Sequence, residues 1–218
     1  MQRLLAVLTV LLACLLGLPA AASASTPTAP APIGGGSLLF TSSGARCTAA
    51  FAARSGSTGY LIAGPGCSGS FATLIYSGNN VLVGQVTGST LGYSVIRVTN
   101  TIDWQLVGWI TTSAGPVHIS GSAETSVGGA VCLLSRTTGT RCGTVVAKNQ
   151  TISYPEGVIY GVTRTNICME PGAIAFVSGS QAQGVPIGGS GSCSSGGTSF
   201  FQPIRGILSA YGLALLTG

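Results

Sequence analysis

From Ser37 onward the chain is a succession of short apolar or alternating runs, among them SLLF, CTAAFAAR, YLIAG, ATLIYS, VLVGQV, YSVIRVT and WQLVGWITT. The series continues through VHISGS, AVCLLS, GTVVAKNQTISY, GVIYGVT and IAFVS, with Gly, Asn, Ser and Pro between runs. Short runs with a two-residue period, bounded by turn formers, predict β-strands. Many such strands in series predict an all-β sandwich or barrel. The period changes only in QPIRGILSAYGLALL, where Ile204, Ile207, Leu208, Tyr211 and Leu215 fall on one helical face. Pro203 stands where a helix can begin, so a C-terminal helix packed on the β core is expected. Strand–helix alternation and a Gly-rich phosphate loop are both missing, which speaks against nucleotide-binding folds.

The first 24 residues change the address of the chain. A basic residue, a long apolar run and a small-residue stretch ending Ala22-Ser23-Ala24 predict a secretory signal peptide cleaved after Ala24. Cys14 would leave with it. Residues 25–32, STPTAPAP, read as a Pro/Ala-rich linker without fixed structure. The expected product is secreted, not membrane-bound after signal removal, and monomeric. Only residues 25–32 are expected between signal and domain.

Six of the 7 cysteines remain beyond the signal: Cys47, Cys67, Cys132, Cys142, Cys168 and Cys193. In an exported chain this even set predicts disulfides, and spacing alone leaves all pairings open. Zinc is disfavoured, because there is no Cys-x-x-Cys pair and the single histidine is His118. No metal or other cofactor is expected. Charged residues are 6% of the chain, and the net charge of +5 is spread without a Lys/Arg cluster. A nucleic-acid partner needs clustered positive charge and is not expected.

The stretch TTGTRCGTVVAKNQTISYPEGVIYGVTRTNICMEPG, residues 137–172, resembles the second half of the bacterial streptogrisin and α-lytic-protease family of chymotrypsin-like serine proteases. IGGGSLLFTSSGARC (33–47) resembles that family's mature N-terminus, and GGSGSCSSGGTSFFQPIRGILSAYGL (188–213) its C-terminal segment. The resemblance implies two six-stranded antiparallel β-barrels, a cleft between them, a C-terminal helix and three disulfides. The domain is expected over 33–218, with barrels over about 33–110 and about 111–218. It also implies the pairs Cys47–Cys67, Cys132–Cys142 and Cys168–Cys193.

Chemistry in that family needs a serine nucleophile, a histidine base and an aspartate that orients the histidine. Thr-Ala-Gly-His-Cys, which carries the family's histidine, matches Ala63-Gly64-Pro65-Gly66-Cys67 here, so Gly66 holds the histidine position. Asn-Asp-Tyr-Gly-Ile-Val-Arg matches Leu91 to Arg97, so Gly92 holds the aspartate position. Glu-Pro-Gly-Asp-Ser-Gly-Gly begins intact as Glu170-Pro171-Gly172 and then reads Ala173-Ile174, so Ile174 holds the serine position. Aligned backward from Gly184-Val185 instead, the Asp-Ser pair is deleted. Triad residues act as a unit. The sequence therefore predicts no catalytic residue, and a pseudoprotease that is not an enzyme.

Elsewhere, His118 reads as an edge-strand residue, Asp103 as part of a connector, and Ser190 as backbone lining. Glu170 reads as a solvated carboxylate near the specificity pocket, and Glu124, Glu156 and Glu170 do not make a glycosidase pair. Gly172, Gly188, Gly189, Ser190 and Gly191 match backbone positions that bind extended peptide in the family. The expected partner is an extended peptide or a protein protease inhibitor in the cleft, unless Ile174 and Phe176 fill it. The alternative is a structural protein that presents the Trp104/Trp109 region.

Overall fold

The computed structural model describes residues 29–169 and 171–218. The expected signal peptide and the start of the linker lie outside these, as does Glu170. Ala31 and Pro32, assigned above to the linker, instead open strand β1 (Ala31–Gly35).

Six strands build the first barrel: β2 (Leu38–Thr41), β3 (Arg46–Ser55), β4 (Thr58–Ala63), β5 (Leu74–Ser77), β6 (Leu82–Ser89) and β7 (Ser94–Val98). The sheet runs β3-β2-β5-β6-β7-β4, and β3 pairs with β4 to close it. β8 (Trp104–Thr112) and β9 (Gly115–His118) form a separate sheet with β1, in the order β1-β8-β9. The second barrel closes in the order β10-β11-β12-β15-β14-β13. Its strands are β10 (Ala130–Ser135), β11 (Thr140–Tyr154), β12 (Gly157–Thr165), β13 (Ala173–Ser178), β14 (Gln181–Ser192) and β15 (Gly196–Pro203). Helix α1 (Ile204–Tyr211) and the short β16 (Ala214–Leu215) follow. The expected double barrel with a C-terminal helix is thus the fold.

β3 shows why the barrels meet where they do. Its apolar run is buried on both faces, which a one-sided strand would not need. Ala49 and Ala52 point into the first barrel's core with Leu39, Leu61 and Ile96. Ala50, Phe51 and Ala53 join Ile174, Val185 and the helix residues Ile204 and Ile207 in a second core between the barrels. A register shift between Ala49 and Phe51 allows neighbouring residues to serve different cores.

The helix is shorter than the apolar periodicity predicts. Gly212 adopts a left-handed φ of 61°, and Leu213 N–H donates to Leu208 O at 2.9 Å, a capping pattern that ends the helix. Leu215, expected on the helix face, lies in β16 and pairs with Ala53 of β3.

Disulfides join Cys47 to Cys67, Cys132 to Cys142 and Cys168 to Cys193, closing loops of 20, 10 and 25 residues. Each loop closure restricts the unfolded chain and contributes on the order of 3 kcal/mol. Among the described residues no helix is long and apolar enough to cross a membrane.

Candidate functional site

A cleft of about 270 Å³ lies between the barrels, with Gly66 on one side and Gly172 and Ile174 on the other. On the first-barrel side, β4 runs into a 3-10 turn over Pro65–Cys67. Ser68 N–H donates to Pro65 O at 2.8 Å, and the Cys47–Cys67 bridge holds the turn to β3. The turn lies so close to β3 that a Cβ on Gly66 would stand 2.3 Å from Arg46 O. A side chain at 66 therefore requires the backbone to move.

On the second-barrel side, the loop before β13 is held from the β10–β11 hairpin. Thr137 Oγ1–H donates to Pro171 O at 2.7 Å, and Arg136 N–H donates to Gly172 O at 2.9 Å. Gly172 has φ 89°, a region that glycine adopts without strain. The Arg136 side chain reaches across to the first-barrel side, where Nη1 donates to Gly36 O at 2.9 Å. Below this loop, the hydroxyls of Thr165 and Ser199 form a buried pair at 2.7 Å, and Ile167 N–H donates to Thr165 Oγ1 at 3.2 Å.

Ile174 is 1% exposed and forms the floor of the cleft as part of the core between the barrels. Phe176 does not fill the cleft. It points into the second barrel, stacked on Phe201 with ring centroids 4.7 Å apart.

The far wall is β14, where Pro186 and Ile187 line the cleft and Gly188, Gly189, Ser190 and Gly191 continue the strand. Along one edge these residues pair with β15, from Gly184 to Ser192. Along the other edge, β13 pairs only with Gln181, Ala182 and Gly184. Beyond Gly184 that edge has no strand partner among the described residues. Cys168–Cys193 anchors the far end of the wall.

Gly92 lies in the turn between β6 and β7, where its N–H donates to Thr90 Oγ1 at 3.1 Å. A Cβ there would stand 3.4 Å from Gln202 Oε1 and 3.5 Å from Ile159 and Ile187, which is ordinary contact at the tight end. Gly92 opens into a second hollow of about 420 Å³. Next to it, Tyr93 meets Tyr211 edge-to-face at 6.2 Å. Burial, and then the neighbouring Tyr211 hydroxyl, push the Tyr93 phenol up to about 12.

The remaining candidates lie apart from the cleft. His118 is exposed on β9, where Nδ1 is 2.7 Å from Gly218 O. Asp103 sits in a turn and accepts from Asn100 Nδ2 at 2.7 Å. Trp104 is half-buried, with Nε1 donating to Leu82 O at 2.9 Å. Glu124 pairs with Lys148 at 2.9 Å. Among the described residues no group of three or more His, Cys, Asp or Glu side chains is placed to hold a metal.

A feature that sequence reasoning missed is a pair of amides that fasten the connector between the barrels. Gln181 Oε1 accepts from Ala123 N–H at 2.9 Å. Gln183, 3% exposed, accepts from Thr125 N–H at 2.9 Å and donates to Ala123 O at 2.7 Å. Polar residues two apart on a strand read as a solvent-facing row, so the pattern gave no signal for this role.

No family model matches the chain. Streptogrisin-C of Streptomyces griseus is 42% identical over 202 residues, covering 90% of this chain and 44% of that protein, so the chain spans less than half of that relative. Glutamyl endopeptidase 2 of the same organism is 32% identical over 189 residues, covering 84% of this chain and 98% of that protein. The crystal structure of Thermobifida fusca Protease A superposes with a TM-score of 0.75 at 39% identity, covering 86% of this chain and all of that one.

These relatives overturn the expectation that the chain is not an enzyme. That expectation weighed three substituted positions, whereas a protein named as a protease superposes over 86% of this chain and one named as an endopeptidase aligns with 84% of it. The physical reason is that the triad is only part of the catalytic apparatus. In a serine protease of another fold, removing it leaves roughly 10³–10⁴-fold acceleration over water, from binding and oxyanion donors.

Proposed function

The chain belongs to the streptogrisin-type serine proteases of the chymotrypsin-like fold, and on that footing we propose that it is exported and acts on extended peptides held along β14. The observation that carries this reading is the open edge of β14 beyond Gly184, which offers unpaired backbone groups to an added strand. Gly188, Gly189, Ser190 and Gly191 have little or no side chain to obstruct such a strand. A protein inhibitor that presents an extended loop would dock on the same edge.

Within this reading, positions 66, 92 and 174 supply no nucleophile, base or orienting acid, because they are Gly66, Gly92 and Ile174. Whatever bond cleavage the chain performs rests on positioning and on backbone donors near Gly172. Export agrees with the Ala22-Ser23-Ala24 pattern and with three disulfides, which persist in oxidising compartments.

The test is calorimetric titration of the oxidised protein with blocked hexapeptides, repeated with the same peptides N-methylated at alternate residues. Saturable binding that N-methylation abolishes is the expected result. Product analysis of the same mixtures by mass spectrometry reads cleavage, and a fluorophosphonate probe reads serine labelling. Failure of every hexapeptide to bind would overturn the reading, and labelling at a serine would replace its chemistry with a nucleophile elsewhere.

A further inference from the structure

Away from the cleft, a hollow of about 250 Å³ opens between the β3–β4 hairpin, the connector into β8 and the residue after β16. It shares no lining residue with the cleft. Its floor is Ala53 and Val98, which are 0% and 5% exposed. Its walls are Trp104, Leu106 and Leu216, half-buried side chains that pack on the first barrel's core. The indole Nε1 of Trp104 is already engaged with Leu82 O, at 2.9 Å, so the surface that Trp104 offers to the hollow is apolar. A Cβ on Gly59 would collide with Leu106 Cδ1, so glycine at 59 is what lets the Leu106 wall stand.

The mouth has the opposite chemistry. Arg54, Ser57 and Thr101 line the hollow and are exposed. Among the described residues, the Arg54 guanidinium makes no ion pair or hydrogen bond. The Ser57 and Thr101 hydroxyls have no protein partner among them either. All three groups can donate, and the guanidinium can only donate. No acidic residue lines the hollow. Asp103, in the same connector, accepts from Asn100 Nδ2 at 2.7 Å and stands outside the lining.

These two halves select an amphiphile. The apolar walls gain when a hydrocarbon chain leaves water between them. A guanidinium with hydroxyls beside it matches the planar, two-oxygen geometry of a carboxylate. An ammonium head would meet a like charge, and a neutral head would forgo the charge-assisted bonds. An apolar pocket with a few convergent polar groups is the usual form of a small-molecule site.

We propose that this hollow binds a medium-chain aliphatic carboxylate. Its tail lies between Trp104, Leu106 and Leu216, and its carboxylate sits on Arg54 with Ser57 and Thr101 in support. Leu216 also holds β3 through its N–H on Ala52 O, at 2.9 Å. A bound tail therefore fastens the last segment of the chain to the first barrel.

The experiment is calorimetric titration of the oxidised chain with sodium octanoate, together with amide shifts in a nitrogen-15-labelled sample. The expected result is saturable binding with a Kd below roughly 1 mM. From hexanoate to octanoate, binding should tighten about fourfold per added methylene. The largest amide shifts are expected at Arg54, Ser57, Thr101, Leu106 and Leu216. Octanol and octylammonium should bind at least about tenfold more weakly than octanoate. Arg54→Gln, at an exposed position, should weaken octanoate about tenfold and leave octanol unchanged. Octylammonium that binds as tightly as octanoate would overturn the proposal. So would Arg54→Gln that binds octanoate like the parent, or amide shifts confined to other residues. The absence of saturable binding would overturn it as well, and none of these outcomes bears on peptide binding in the cleft.

Discussion

Arg136 Nη1 donates to Gly36 O at 2.9 Å, across 100 residues of sequence, while the Arg136 backbone N–H holds Gly172 O. One residue thus ties the loop at the mouth of the cleft to the glycine turn after β1. Arg136→Ala removes the side-chain link and leaves the backbone bond. Its exposed position puts the cost at the low end for a charged donor, about 1–2 kcal/mol. The expected fall in Tm is about 2–4 °C per kcal/mol for a chain of this size. Arg136→Ala that melts like the parent would show the link to be inert.

Gly66 and Gly92 differ in how much room they have. Gly66→Ala drives a Cβ toward Arg46 O and should destabilise by roughly 1–3 kcal/mol, the usual cost of overpacking. Gly92→Ala meets only ordinary contacts and should change stability by less than about 1 kcal/mol. Denaturant melts of both variants compare them directly. Equal costs would contradict the backbone placement at 66.

Gln183→Leu should cost about 1–3 kcal/mol, because Thr125 N–H and Ala123 O lose their partner. Hydrogen exchange gives a sharper readout. The Thr125 amide should exchange faster in Gln183→Leu, and the Ala123 amide faster in Gln181→Leu. Exchange that rises uniformly in both variants would point to general loosening.

Tyr93 gives the chain an alkaline limit. Burial, with the Tyr211 hydroxyl beside it, pushes its phenol up to about 12 from the ordinary value of 10.0. The folded state therefore holds this proton more tightly than the unfolded state does. The resulting stabilisation is fully present below pH ~10 and is lost as pH rises through about 12. Tyr93→Phe should flatten this part of the stability–pH curve relative to the parent. Chemical melts between neutral pH and the alkaline range measure it, and superimposable slopes would sink the assignment.

Much of the fold is legible in the sequence because barrel strands leave a strong pattern. The alternating runs, the Gly and Asn turns and the family stretch around Cys168 all lead to the double barrel. What escapes the pattern is decided by the third dimension. The run CTAAFAAR reads as a strand, but only the register shift after Ala49 tells which alanine faces which core. Leu215 keeps helical spacing, yet a left-handed Gly212 stops the helix before it. The motifs name Gly66, Gly92 and Ile174, and the structure places Gly66 and Ile174 on the cleft but Gly92 in the neighbouring hollow. Their surroundings are not legible, since neither the closeness of Arg46 O to Gly66 nor the space over Gly92 has a linear signature. The inference of a non-enzyme failed for a related reason: it treated side chains as the whole of a function that the backbone shares.

β16 has a consequence for how the molecule is assembled. It adds to β3 of the first barrel, and Leu216 N–H donates to Ala52 O at 2.9 Å. During synthesis the first barrel's strands emerge long before this last piece, with all of the second barrel made in between. The β3 edge of the first barrel is therefore covered only after the whole second barrel has been made. The order of birth along the chain and the order of completion in space run in opposite directions.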